Sequence, residues 1–146
     1  MQLDEIKKLL PHREPFLFID EIIEIREEGL VARRTVRETE PQFEGHYPGR
    51  PIMPGVLLCE AALQAGCLYL ATSSDGEGFS GTPVVTRMTD VKFRKMVVPG
   101  DVLDIHVELE KSVMNVHFMR AKLLVGKNKV MTLSFAVTLA PEESNS

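Results

Sequence analysis

Residues 54–71 read PGVLLCEAALQAGCLYLA. Past the Pro54-Gly55 start only Gly66 interrupts residues that tolerate a helix, and the run is too long for a strand. The stretch therefore predicts a helix over 55–72 that is apolar on nearly every side. The window from Pro51 to Ala71 has the length of a membrane span. Pro54, Gly55, Glu60 and Gln64 interrupt it, however, and Glu60 would sit near the bilayer midplane. The helix is expected inside the protein, with the rest of the chain wrapped around it.

The flanking sequence supplies the wrapping. Upstream, Leu3, Ile6, Leu9 and Leu10 recur at helical spacing until Pro11, which predicts a short amphipathic helix over 1–10. Phe16–Arg26 and Leu30–Val36 read as a hairpin turning at Glu27-Glu28-Gly29, and residues 38–54 as an irregular loop. Downstream, 73–82 (SSDGEGFSGT) has the composition of a mobile loop. Four β-rich runs follow: Val84–Val91, Asp101–Lys111, Val116–Val125 and Lys129–Leu139. The separators between them are turn-sized, which predicts an antiparallel meander. The economical arrangement is α+β: one long central helix inside a curved antiparallel sheet of about six strands.

With 146 residues, 44% of them hydrophobic and 26% charged, the chain suits a single soluble domain over 1–146, with 141–146 as a frayed tail. A net charge of −4 argues against a nucleic-acid binder with a basic face and leaves only local basic patches. Cys59 and Cys67 form no metal or redox motif and are expected as buried free thiols. The start, MQLDEIKKLL, has no apolar signal region, so a cytoplasmic protein is expected.

The chemistry concentrates at 44–64. The loop Glu44-Gly45-His46-Tyr47-Pro48-Gly49-Arg50-Pro51-Ile52-Met53-Pro54 sets a histidine among glycines and prolines that stiffen its surroundings. On the helix, Glu60, Gln64 and Cys67 fall on nearly one face, a narrow polar stripe on an apolar rod. A carboxyl in such surroundings is costly to ionise, so Glu60 is expected with a raised pKa; a neutral acid near a histidine suits acid/base chemistry at pH 7. Gly55, lacking a side chain, would let a ligand approach the unpaired N–H groups of the first helical turn. Taken singly, His46 could be an ordinary loop histidine and Glu60 a paired structural carboxylate; together they point to a site.

Three segments, LPHREPFLFIDEI, GHYPGRPIMPGVLLCEAALQ and VKFRKMVVPGD, resemble in this order the (3R)-hydroxyacyl-[acyl-carrier-protein] dehydratases of fatty acid synthesis, FabZ type, from about Leu10 to Leu139. The second is the most specific, because both the fourteen-residue interval from His46 to Glu60 and the MPG turn between them fit. The resemblance implies a hotdog fold, with His46 and Glu60 as the catalytic pair and Gly55 as the backbone donor. It also implies twofold dimers whose sites take His from one chain and Glu from the other, with hexamers a further possibility. Gln64 would steer Glu60. The chain departs from the usual pattern at Glu14, Glu21, Gln42 and Tyr47, which bears on substrate and carrier rather than on the His/Glu pair.

The implied reaction removes water from a 3-hydroxyacyl thioester without cofactor or metal; no Gly-rich phosphate loop, dinucleotide fingerprint or histidine ligand set is present in the sequence. Rival readings are a dehydratase or hydratase acting on coenzyme A or polyketide thioesters, a thioesterase, and a non-catalytic acyl-thioester-binding regulator. An acidic acyl carrier protein would dock on Lys92, Arg94 and Lys95, with Arg33, Arg34 and Arg37 as a second choice; a solvated, mispairing-resistant strand edge explains the first group equally well. His106 and His117 are expected as solvent-face or packing residues, His12 as a residue that fixes its own loop, and the methionines as core filling rather than as a tunnel lining.

Overall fold

The structure, a computed structural model, describes residues 1–73 and 81–140. Most of the expected loop over 73–82 and the tail 141–146 lie outside them. Helix α1 (Leu3–Leu9) leads to a hairpin of β1 (Glu21–Ile25) and β2 (Gly29–Thr35), then a 3-10 turn at Pro41–Glu44 and the central helix α2 (Gly55–Ser73). Strands β3 (Thr82–Phe93), β4 (Val102–Val113), β5 (Val116–Val125) and β6 (Asn128–Ala140) complete the chain. All six strands form one antiparallel sheet in the order β1-β2-β4-β5-β6-β3.

Helix α2 lies in the curl of this sheet, as its composition demands. From Leu58 to Ala71 every residue but Glu60 is buried. The helix is apolar and long enough to cross a membrane, yet most of it is covered by the fold, so its apolar surface is already spent on the core. Gly66 is required for this packing: a Cβ there would lie 2.6 Å from Cζ of Phe135 on β6. The ring rests directly on the helix backbone. The thiols share the same interior. Burial pushes Cys67 up to about 12 and raises Cys59 as well, which leaves both as unreactive packing groups.

The expected meander holds only for β4-β5-β6. Strand β3 pairs with β6 and not with β4, because residues 94–101 cross the fold instead of turning back. Arg94 N–H donates to the carbonyl of Val130 (2.8 Å) at the β6 end of the crossing. At the other end Gly100 N–H donates to Val36 O (2.8 Å) and Val36 N–H to Asp101 O (2.9 Å). Between them Val97 is fully buried and its carbonyl accepts the N–H of Met53 (2.7 Å). The crossing closes one end of the curl over the segment that leads into α2. Strand β3 is left as a sheet edge, and it shows Val84, Met88 and Phe93 to solvent.

Arg34 ties the hairpin to the loop that carries His46. Its guanidinium, nearly buried, binds Asp20 (3.0 Å) and Glu40, and Glu40 in turn accepts the N–H of Arg37 (2.6 Å). Arg33 pairs with Asp104 (2.8 Å) and Arg37 with Asp20 (3.1 Å). All three arginines are thus engaged in ion pairs, Arg34 inside the fold and Arg33 and Arg37 at its surface; strand register and the loop set acidic neighbours against them. Replacing Arg34 with Met strands the Glu40 carboxylate away from water, and should cost about 3 kcal/mol. Chemical denaturation should show the loss as a lowered midpoint at unchanged slope.

Candidate active site

The 3-10 turn delivers the histidine. His46 N–H donates to Gln42 O (3.1 Å), and the chain then reverses through Tyr47, with φ +57°, and Gly49, with φ +89°. His46 Nδ1 lies 2.7 Å from the carbonyl oxygen of Ile52. A carbonyl only accepts, so the neutral ring carries its proton on Nδ1 and keeps the Nε2 lone pair free. The Tyr47 ring packs edge-on against the imidazole at 4.6 Å between centroids.

His46 stands in a cleft of about 500 Å³ walled by Tyr47, Met53, Gly55, Phe93 and Met96. Arg94 and Lys95 stand on the same rim. Lys92, Arg94 and Lys95 are all exposed, although the strand ends at Phe93 and its alternation does not extend to Arg94. Gly55, expected to let a ligand approach the first helical turn, lines the cleft, and its Cα also seats a ring from β3: a Cβ at Gly55 would lie 2.9 Å from Cε1 and Cζ of Phe93. The helix start thus needs glycine first to seat this ring. Met53 and Met96 line the cleft, whereas Met119 is buried in the core and Met114 is almost fully exposed at the β4–β5 turn.

Glu60 does not face His46 across this cleft's walls. Its side chain is 22% exposed and does not line the His46 cleft. Fully buried Gln64 donates through Nε2 to Glu60 Oε2 (2.9 Å) and to Phe16 O (2.8 Å), and accepts the N–H of Phe18 through Oε1 (2.8 Å). Two acceptors on one side and one donor on the other leave a single sensible orientation for the amide. Gln64 therefore holds the carboxylate and also anchors residues 16–18 to α2.

His12, expected only to fix its own loop, is the residue that sequence reasoning underweighted. Arg13 does the loop fixing, with its guanidinium on the carbonyls of Leu10 (2.8 Å), His12 (2.7 Å) and Lys7 (2.9 Å). His12 instead points Nε2 at Glu60 Oε2, 3.6 Å away. The two residues lie 48 positions apart, and no local pattern links them. The other histidines behave as expected. His117 Nδ1 contacts Ser112 Oγ (2.8 Å), and His106 is a half-buried residue of β4 whose imidazole is held below its ordinary pKa by burial and by Lys122 and Arg26.

A protein-family model described as a FabA-like domain matches residues 10–134. The 3-hydroxyacyl-[acyl-carrier-protein] dehydratase FabZ of Clostridium perfringens (strain SM101 / Type A) is 42% identical over 125 residues, covering 86% of this chain and 88% of the relative. The chain belongs to the FabA-like family, on its FabZ-type branch. Further FabZ-type relatives are those of Anaeromyxobacter sp. (strain Fw109-5), 39% identical over 98% of this chain and 92% of the relative, and of Lactiplantibacillus plantarum, 36% identical over 99% and 97%. Among solved structures the dehydratase heterocomplex ApeI:P from Xenorhabdus doucetiae superposes with a TM-score of 0.81 at 16% identity, covering 94% of this chain and 91% of that one. A hypothetical thioesterase from Streptococcus pneumoniae superposes with a TM-score of 0.65 at 16% identity, covering 85% of this chain and 88% of that one. At such identities the likeness concerns the fold alone, and that fold is the hotdog anticipated above.

Proposed function

We propose that this protein works as a dimer in which the His46 cleft of one protomer is completed by Glu60 of its partner. The single observation that carries this reading is the separation just described: a base in an open cleft beside an uncovered sheet edge, and an oriented carboxylate outside that cleft. Pairing β3 with β3 across a twofold axis would cover the exposed Val84, Met88 and Phe93 and bring the second protomer over the cleft. A cytoplasmic location and the possibility of hexamers belong to the same reading.

The reaction is the dehydration of 3-hydroxyacyl-[acyl-carrier-protein] to the trans-2-enoyl thioester in fatty acid biosynthesis, and the protein is a hydro-lyase. In the proposed mechanism His46 Nε2 removes the α-proton, and charge moves to the thioester oxygen, where the Gly55 N–H stabilises it. Glu60 gives its proton to the departing hydroxyl, so the C–O bond breaks, water leaves and the Cα–Cβ double bond forms. No step calls on a cofactor or metal. Gln64 keeps the acid aimed. The His46 tautomer supports the first step, since only an unprotonated Nε2 can act as base.

Arg94 and Lys95 at the cleft rim, with exposed Lys92 just before them on β3, are the docking surface proposed for the acidic carrier. The test offers 3-hydroxyacyl groups on carrier protein, coenzyme A and pantetheine, and weighs the products by mass spectrometry. Enoyl thioester is expected; free acid would indicate a thioesterase, and binding without turnover a regulator. In the same assay Lys92→Glu with Arg94→Glu should slow the carrier-linked substrate about tenfold and weaken its salt dependence, while sparing the pantetheine thioester. Equal losses on both would place docking elsewhere.

A further inference from the structure

Glu60 is held from one oxygen only. Gln64 Nε2 at 2.9 Å and His12 Nε2 at 3.6 Å both approach Oε2, and among the described residues no side chain or backbone group hydrogen-bonds Oε1. His12 Nδ1, at the far side of the ring, is buried and has no hydrogen-bond partner. A proton on Nδ1 would therefore be stranded away from water, whereas a proton on Nε2 faces a carboxylate oxygen. The same asymmetry disfavours the imidazolium, which must carry both protons. Burial accordingly holds His12 below the ordinary histidine pKa; nearby Glu60 opposes the shift and Arg13 adds to it.

We infer that His12 is a positioning residue for Glu60: a neutral imidazole whose Nε2–H, with the Gln64 amide, engages Oε2 and leaves Oε1 as the oxygen that hands its proton to substrate. The inference rests on the reading of Glu60 as the proton donor. At 3.6 Å the N–H dipole orients the carboxylate through space, and the contact shortens to a hydrogen bond if the site tightens around substrate. Arg13 serves the arrangement by pinning the backbone at His12 and before it through the carbonyls of Lys7, Leu10 and His12. An N–H dipole aimed at the oxygen that Gln64 already holds favours one carboxyl rotamer over those the Gln64 contact alone allows.

A double-mutant cycle tests this with His12→Leu, His12→Gln, Glu60→Gln and the His12→Leu/Glu60→Gln pair, assayed as assembled protein on a pantetheine thioester. His12→Leu should lower kcat about tenfold at unchanged KM, melting temperature and oligomer mass, since residues sharing one network couple. His12→Gln, whose amide can donate from nearly the same place, should restore kcat to within about twofold. On the Glu60→Gln background His12→Leu should cost nothing further. Equal losses in both backgrounds, no loss at all, or no rescue by Gln would overturn the role of His12. Near-native turnover of Glu60→Gln alone would instead overturn the reading of Glu60. Should His12→Leu fold poorly, the 15N shifts of the wild-type ring at pH 7 decide: the Nε2–H tautomer is expected, and the Nδ1–H tautomer sinks the inference.

Discussion

Turnover should fall at least about a hundredfold in His46→Ala and again in Glu60→Gln, because a positioned general acid or base contributes roughly 10²–10⁴. The two substitutions test different things. His46→Ala removes the free Nε2 lone pair that the Ile52 carbonyl maintains by holding the proton on Nδ1. Glu60→Gln keeps nearly the same shape and its place beside Gln64 but cannot give up a proton as an acid. Steady-state assays on the carrier-linked substrate, with circular dichroism to confirm folding, are the measurement. A folded variant that kept near-native turnover would remove its residue from the chemistry.

Mixing the inactive His46→Ala and Glu60→Ala chains, with refolding to scramble subunits, should restore about a quarter of wild-type activity. Random pairing makes about half the dimers mixed, and each mixed dimer holds one intact and one doubly mutated site. The expectation rests on the proposed dimer and is consistent with a protomer in which Glu60 does not line the His46 cleft. If both residues of a site came from one chain, every site would keep a lesion and nothing would recover. Native mass spectrometry must show the mixed dimers for the result to count. Failure would remove the shared-site geometry and leave the dehydratase activity in place.

Much of the fold was legible because its cause is local. A helix apolar on nearly every side cannot lie on a surface, so α2 had to be enclosed, and hairpin spacing was enough to place β2 and the β4-β5-β6 meander, while β1 begins at Glu21 and not at Phe16 as expected. The partner of β3 was not legible. Residues 94–101 contain a Pro-Gly turn signal, but whether that turn folds back or crosses depends on Val97 finding the core and on Met53 finding its carbonyl. Met53 and the core that receives Val97 lie far from this segment in sequence. The arginines show the same limit: 33, 34 and 37 read as a basic cluster until sheet register and the loop set Asp20, Glu40 and Asp104 against them.

At the site the division is similar. The chain alone determined a rigid His loop, a polar stripe on a buried helix and a glycine at its start, since each depends on residue types a few positions apart. Only the tertiary structure decided which nitrogen of His46 is free, that Phe93 covers Gly55, that Glu60 stands outside the cleft, and that His12 reaches it. The physical reason is range. Helix and turn propensities act over a few residues, whereas hydrogen-bond partners for buried polar groups are supplied by whichever distant segment the packing brings within about 3 Å.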